Sequence, residues 1–161
     1  MPNLSVQLSL SSEQDTRDAA ARLAPLVKAG DVLALEGDLG AGKTVFARGF
    51  IEALGGDGEV PSPTFTLVQS YELSPVPVHH FDLYRLEQPE DAFELGIEEL
   101  FPKGTSLIEW PDRLGPYLPR DHLAVRLSHG KIAQGEGQRE LEMVCCGNWE
   151  ARDQALQELF S

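Results

Sequence analysis

This 161-residue sequence has few cysteines and no long apolar run. Its two cysteines, Cys145 and Cys146, are adjacent, where a disulfide would need strained backbone geometry, so we expect free thiols in a reducing compartment. No apolar stretch approaches the ~20 residues that span a bilayer, and the first residues lack the basic and apolar regions of a signal peptide. We therefore expect a cytoplasmic protein with no membrane partner.

Basic residues are also scarce. The chain has 26 Asp and Glu residues against 13 Lys and Arg residues, which gives a formal net charge of −13. Proteins that bind a nucleic-acid backbone directly usually carry a basic stripe, so this composition disfavours stable, direct nucleic-acid binding. An acidic surface suits solubility or a basic protein partner instead.

A glycine-rich segment, residues 37–44, is the most informative stretch of the chain. Its sequence, GDLGAGKT, matches the phosphate-binding pattern G-x-x-x-x-G-K-[ST] in full. Residues 31–36 before it form a short apolar run that is typical of a buried parallel strand. Residues 45–54 after it have apolar positions at helical spacing and stop at Gly55. Strand, glycine loop and helix together predict a nucleotide-binding site.

The residue types in this segment fit phosphate chemistry. Glycines let backbone N–H groups approach an anion at the positive end of a helix. Lys43 is expected to contact the β- and γ-phosphates of a nucleotide, and the Thr44 hydroxyl to ligate Mg²⁺. The predicted nucleotide-binding residues of the loop are Asp38, Leu39, Gly40, Ala41, Gly42, Lys43 and Thr44.

The remaining sequence predicts one α/β domain over residues 1–161, because no linker or repeat divides it. Strands are predicted at residues 4–10, 65–73, 76–84, 105–110, 122–128 and 138–146. A first helix is predicted from a cap at Ser11 or Ser12 to Gly30, with a kink at Pro25. Another helix is predicted over residues 88–100, with a break at Gly96. The last helix is predicted to begin at a cap at Asn148. We expect a three-layer P-loop fold with a mixed, largely parallel central sheet and an antiparallel hairpin at 65–84.

Two carboxylates that end apolar strands are candidates to complete the site. Glu109 is expected to support Mg²⁺, and Asp82 to orient or deprotonate the attacking water, although the sequence equally allows these roles to be exchanged. His80 shares a strand face with Asp82, whereas His79 points away, so the histidine pair does not make a zinc site. The hydroxyls of Ser62 and Thr64 either sense the γ-phosphate or belong to a plain proline turn.

Four ordered motifs together carry a family resemblance. They are residues 37–44, residues 62–68 (SPTFTLV), residues 80–86 (HFDLYRL) and residues 108–111 (IEWP). In this order they resemble the bacterial TsaE family, small ATPases needed to make threonylcarbamoyladenosine in tRNA. The resemblance covers roughly the first two thirds of the chain.

The resemblance implies a role for each matched residue. Lys43 and Thr44 take the phosphate and Mg²⁺ positions, Asp82 matches an aspartate important for ATP hydrolysis, and Glu109 matches the second Mg²⁺ carboxylate. Further implied positions are Thr64 in a switch-like segment, Trp110 beside the nucleotide and Ser12 near the adenine.

The resemblance also implies protein partners, TsaD and TsaB, which handle the tRNA while the ATPase resets their complex between turnovers. Two other classes share the same loop, a small-molecule kinase and a nucleotide sensor that does not hydrolyse. The scattered positions of Arg113, Arg120 and Arg126 argue against a kinase lid. A GTPase is disfavoured, because the guanine signature [NT]-K-x-D does not occur in the chain.

Overall fold

A seven-stranded sheet forms the centre of the molecule. The computed structural model describes residues 4–56, 67–74, 76–130 and 138–161. The strand order across the sheet is β1-β7-β6-β2-β5-β4-β3. The strands are β1 (Leu4–Leu10), β2 (Val32–Glu36), β3 (Val68–Tyr71), β4 (Val78–Asp82), β5 (Thr105–Glu109), β6 (His122–His129) and β7 (Arg139–Cys146).

Strand direction divides the sheet into a parallel centre and antiparallel edges. The neighbouring strands β6, β2, β5 and β4 are all parallel to one another. At one edge β3 pairs antiparallel with β4, which confirms the predicted hairpin. At the other edge β7 is antiparallel to β6 and β1 is antiparallel to β7, so β1 runs with the central four. The sheet is therefore mixed, and most of its strands share one direction.

Helical segments cover both faces of the sheet. The α-helices are α1 (Glu13–Leu23), α2 (Lys43–Ala53), α3 (Ile97–Leu100) and α4 (Asp153–Leu159). Alternation along β2 places Leu33 and Leu35 in a buried cluster with Phe46 of α2, whereas Val32 packs into a second cluster with Ile97 of α3. The sheet thus lies between two buried apolar layers.

The same alternation positions two acids. On β4, Val78 packs in the cluster on the α2 side and Phe81 in the opposite one, so Asp82 faces α2. On β5, Leu107 packs on the α2 side, and Glu109 shares its face. Asp82 and Glu109 are register partners at the carboxyl ends of these parallel strands. Ligand sites in open α/β sheets lie at such ends.

Two helix predictions need correction. The first helix, capped by Ser12, ends at Leu23 instead of Gly30, because the chain around Pro25 tightens into a 3₁₀ turn (Ala24–Leu26) and then becomes extended. The last helix is not capped by Asn148. That residue lies in a 3₁₀ segment (Gly147–Arg152), and its backbone N–H and side-chain amide donate to Asp121.

Two other predictions are confirmed. Gly96, in a left-handed conformation with φ 79°, separates a 3₁₀ segment (Pro89–Leu95) from α3. Both cysteines are free thiols. Over the described ranges, the helices are too short or too polar to cross a membrane. Parts of the predicted strands at 65–73 and 76–84 extend beyond β3 and β4, and residues 65, 66 and 75 lie outside the described residues.

A partly buried ion pair joins the C-terminal segment to the start of β2. The Arg152 guanidinium donates two hydrogen bonds of 2.7 Å to the two carboxylate oxygens of Asp31. Its Cζ atom lies 4.1 Å from the centre of the Trp149 ring. The Asp31 carboxylate also accepts a hydrogen bond from the Lys28 backbone. Removing one member of such a pair leaves the other charge buried without its partner.

We predict that Arg152→Ala lowers the free energy of unfolding by about 2 to 3 kcal/mol, because the Asp31 side chain stays buried after its main partner is removed. Urea denaturation monitored by circular dichroism measures this change. Arg126→Ala is the matched control, since its pair with Glu36 is exposed and contributes less than about 1 kcal/mol. Equal losses in the two variants would contradict the assignment of the Asp31 pair as a stabilising contact.

His79 provides a pH-dependent contribution to stability. Its Nδ1 atom is 2.9 Å from the Ser70 hydroxyl, and burial lowers the pKa of the ring below 6.5 although the charge of Glu72 opposes this shift. The unfolded chain therefore binds a proton at His79 more readily than the folded one, and stability is lost as the pH falls below 6.5.

We predict that the free energy of unfolding of wild type exceeds that of His79→Asn by the largest amount above pH 6.5. This excess should shrink as the pH falls, because the folded wild type takes up a proton at His79 less readily than the unfolded chain. Asparagine keeps a side-chain amide near Ser70 but does not titrate. Urea melts at a series of pH values test the prediction, and a difference that stays constant with pH would overturn it.

Candidate functional site

An open cavity of about 590 Å³ lies at the carboxyl ends of β4 and β5, beside the N-terminal ends of α1 and α2. It is shared by elements that are distant in sequence. Its lining residues are Ser12, Glu13, Thr16, Leu39, Gly40, Gly42, Lys43, Thr44, Val45, Asp82, Tyr84, Arg85, Glu109, Trp110 and Arg139.

The glycine loop between β2 and α2 forms one wall. Gly37 has φ 150°, and a Cβ atom there would lie 2.4 Å from the Leu127 carbonyl oxygen, so only glycine fits. Gly42 adopts φ 109° and is the N-cap residue of α2. The loop therefore ends where the unpaired N–H groups and positive dipole of α2 can receive an anion.

Lys43, the first residue of α2, is almost completely buried and lies over an aromatic ring. Its Nζ atom donates to the Gly37 carbonyl and lies 3.3 Å from the centre of the Trp110 ring. Burial lowers the pKa of this ammonium, and the nearby charges of Glu109 and Asp82 act in the opposite direction. The site thus holds a cation within a group of carboxylates.

Thr44 and Glu109 meet on the floor of the cavity. The Thr44 hydroxyl is 3.0 Å and 3.1 Å from the two carboxylate oxygens of Glu109. From the other side, His80 Nε2 lies 2.7 Å from Oε2 of Glu109. Glu109 is only 3% exposed, and His80 is fully buried. The hydroxyl and the carboxylate could therefore share one hard cation, which prefers oxygen ligands.

Asp82 occupies the neighbouring strand end. Its backbone N–H donates to the Leu67 carbonyl, and its Oδ1 accepts from the Tyr84 backbone N–H at 3.2 Å. It is 7% exposed and lines the same cavity as Thr44 and Glu109. The two acids thus approach one space from adjacent strands.

Trp110 has an unusual backbone conformation. Its φ of 60° and ψ of 53° place it in the left-handed region, which is strained for a residue with a Cβ atom. The indole ring lies 5.0 Å from the ring of Tyr84 and also covers Lys43. The strained turn after β5 therefore directs a large aromatic ring into the cavity.

The structure brings most of the predicted site residues together. Ser12, Leu39, Gly40, Gly42, Lys43, Thr44, Asp82 and Glu109 all line the cavity. Asp38 lines a smaller adjacent cavity, and Ala41 is fully buried with its N–H bonded to the Asp38 carbonyl. Ser62 and Thr64 lie outside the described residues.

Arg139 was not predicted from the sequence. The side chain reaches from the start of β7 across the sheet and donates to the Gly40 carbonyl at 3.1 Å. No local motif marks this residue, and only the position of β7 next to β6 brings it near the loop. Glu13 and Thr16 were missed for a similar reason, because they follow the Ser12 cap on a helix whose orientation the sequence does not give.

Comparison with known proteins identifies the family. The model of the family described as threonylcarbamoyl adenosine biosynthesis protein TsaE matches residues 10–141. The tRNA threonylcarbamoyladenosine biosynthesis protein TsaE of Bacillus subtilis is 39% identical over 136 residues, which cover 84% of this chain and 82% of that protein. The protein of the same name from Nostoc is 37% identical over 144 residues, covering 86% and 85%.

A solved structure agrees with these relatives. The crystal structure of Bacillus subtilis YdiB superposes with a TM-score of 0.83 and 32% sequence identity, and the alignment covers 100% of this chain and 99% of that one. The fold described above is thus shared along the full length of the chain. The family model, the relatives and this structure together show that the chain belongs to the TsaE family.

Proposed function

We propose that this protein is a Mg²⁺-dependent P-loop ATPase that acts in tRNA threonylcarbamoyladenosine biosynthesis. The observation that carries the proposal is the contact of the Thr44 hydroxyl with both carboxylate oxygens of Glu109 at the floor of the cavity. It joins the last residue of the glycine loop to an acid at the end of a neighbouring strand. This is the arrangement that P-loop enzymes use around Mg²⁺.

The donor atoms fit the ion. A hydroxyl and a carboxylate are hard oxygen ligands, and Mg²⁺ commonly takes one or two such protein ligands together with phosphates and water. Thr44 and Glu109 would hold it. When bound, Mg²⁺ would neutralise negative charge that develops during phosphoryl transfer.

The glycine loop would bind the triphosphate. Its backbone N–H groups and the N-terminus of α2 supply fixed partial positive charge, and Lys43 adds a full one. Because Lys43 is buried among carboxylates, its charge acts in a medium that screens less than water does. The residues of the loop therefore favour a ligand with several negative charges.

Asp82 would act on the attacking water. It faces the same cavity as Glu109 from the adjacent strand, and the Thr44 hydroxyl contacts both carboxylate oxygens of Glu109. Because the Thr44 hydroxyl contacts Glu109, we assign Glu109 to the metal and propose that Asp82 orients the water or accepts its proton.

The names of the relatives place their function in tRNA threonylcarbamoyladenosine biosynthesis. We extend this to the present chain and propose that ATP hydrolysis resets a cytoplasmic complex with TsaD and TsaB. The net charge of −13 supports contact with proteins instead of direct contact with tRNA. The products of the ATPase would be ADP and inorganic phosphate.

We predict that the purified protein releases phosphate from ATP only when Mg²⁺ is present, and that TsaB and TsaD together increase the rate. A phosphate-release assay with and without EDTA and with and without the partners measures this. Transfer of the γ-phosphate to a small-molecule acceptor would instead indicate a kinase. Nucleotide binding without phosphate release under all conditions would indicate a sensor.

We predict that Asp82→Asn retains ATP binding and lowers the rate of phosphate release by roughly 100-fold or more, because a positioned carboxylate is lost. Equilibrium binding of a fluorescent ATP analogue and single-turnover hydrolysis separate the two effects. Asp18→Asn, an exposed change on α1 outside the cavity, is the matched control and should leave both unchanged. Hydrolysis at the wild-type rate in Asp82→Asn would refute the assigned role.

A further inference from the structure

His80 is a fully buried polar residue that the proposed hydrolysis does not yet use. It lies on β4, two residues before Asp82, and its side chain faces α2. Its register partner on β5 is Leu107, so the ring leans along the sheet to reach the end of that strand. The side chain it reaches is Glu109.

The contact with Glu109 is short and specific. His80 Nε2 lies 2.7 Å from Oε2 of Glu109, which as a carboxylate is an acceptor, so Nε2 donates the hydrogen bond. Within the described part of the chain, the other ring nitrogen, Nδ1, has no hydrogen-bond partner. The hydrogen bonding of this buried ring within the described part of the chain is therefore confined to the Glu109 carboxylate.

The arrangement fixes the Glu109 side chain from two directions. The Thr44 hydroxyl contacts both carboxylate oxygens from the cavity side, and His80 holds one of them from inside the sheet. A carboxylate with only the first contact could rotate about its last bond. With the second contact, its plane and the direction of its free lone pairs are set.

We propose that His80 is a positioning residue that orients Glu109 for Mg²⁺ binding without touching the ion or the nucleotide. This inference rests on the proposed Mg²⁺-nucleotide function. Mg²⁺ demands near-octahedral geometry, so a ligand held in one orientation binds it better than one that must be ordered first. Outer hydrogen bonds of this kind change metal affinity in other proteins.

Two substitutions with equal polarity and different reach test the proposal. Glutamine can place an amide N–H near the position of Nε2, whereas the shorter asparagine cannot reach Glu109. Mg²⁺ is expected to increase nucleotide affinity, and the measured quantity is the Mg²⁺ concentration that gives half of this increase. We expect this concentration to rise roughly 10- to 100-fold in His80→Asn. In His80→Gln we expect it to stay within about threefold of the wild-type value.

The readout is binding of N-methylanthraniloyl-ATP, measured by fluorescence polarisation during a Mg²⁺ titration. Affinity in EDTA should be equal in all variants, because the glycine loop is unchanged. His79→Asn is the matched control, since this adjacent buried histidine contacts Ser70 instead of Glu109 and should leave the Mg²⁺ titration unchanged. Circular dichroism confirms that each variant is folded.

The outcomes separate this inference from the proposed function. If wild type binds the nucleotide with a clear gain from Mg²⁺ but His80→Asn and His80→Gln titrate alike, the positioning role is wrong and the proposed function stands. If His80→Asn fails to fold, a wild-type titration in His80→Gln supports the role and a shifted one overturns it. If wild type shows no Mg²⁺-dependent gain, the proposed function itself fails.

Discussion

The parallel pairing of β4 with β5 is the constraint on which the candidate site depends. It sets Asp82 and Glu109 side by side as the last residues of their strands. Alternation then turns both side chains toward α2, whose second residue is Thr44. A slip of one residue in this register would turn an acid toward the opposite apolar layer. The backbone ladder thus determines which side chains share the cavity.

Ionisable side chains are concentrated in a largely buried region of the fold. Lys43, His80, Asp82 and Glu109 are each no more than 7% exposed. Buried ionisable groups are tolerated when they hold one another through hydrogen bonds and opposite charges. Here the contacts between Glu109, Thr44 and His80 provide part of that compensation. The contacts that offset the burial of these groups therefore also fix the orientation of the Glu109 carboxylate.

The sequence predicted those parts of the structure that depend on local patterns. The glycine loop, the alternation of β1 and β7 and the break at Gly96 all depend on residues close in sequence, and each appears where expected. The acids Asp82 and Glu109 were identified because strand ends follow apolar runs. Alternation along the strand also predicted that His80 and Asp82 share one face.

Contacts between distant segments were not predictable in this way. Arg139 reaches the glycine loop only because β7 returns beside β6, and the hydrogen bond from His80 to Glu109 depends on the spacing of two strands. The end of α1 at Leu23 was misjudged because a proline in a short 3₁₀ turn ends a helix as readily as it kinks one. The pair of Asp31 and Arg152 also joins opposite parts of the chain.

The left-handed backbone of Trp110 sets stability against function at a single position. Glycine adopts this conformation with less strain, by roughly 1 to 2 kcal/mol. Replacement by glycine would relax this turn but would also remove the indole that covers Lys43 and packs against the apolar cluster of Ile97 and Leu114. The strain therefore cannot be relieved by this substitution without losing both the aromatic wall of the cavity and its apolar packing.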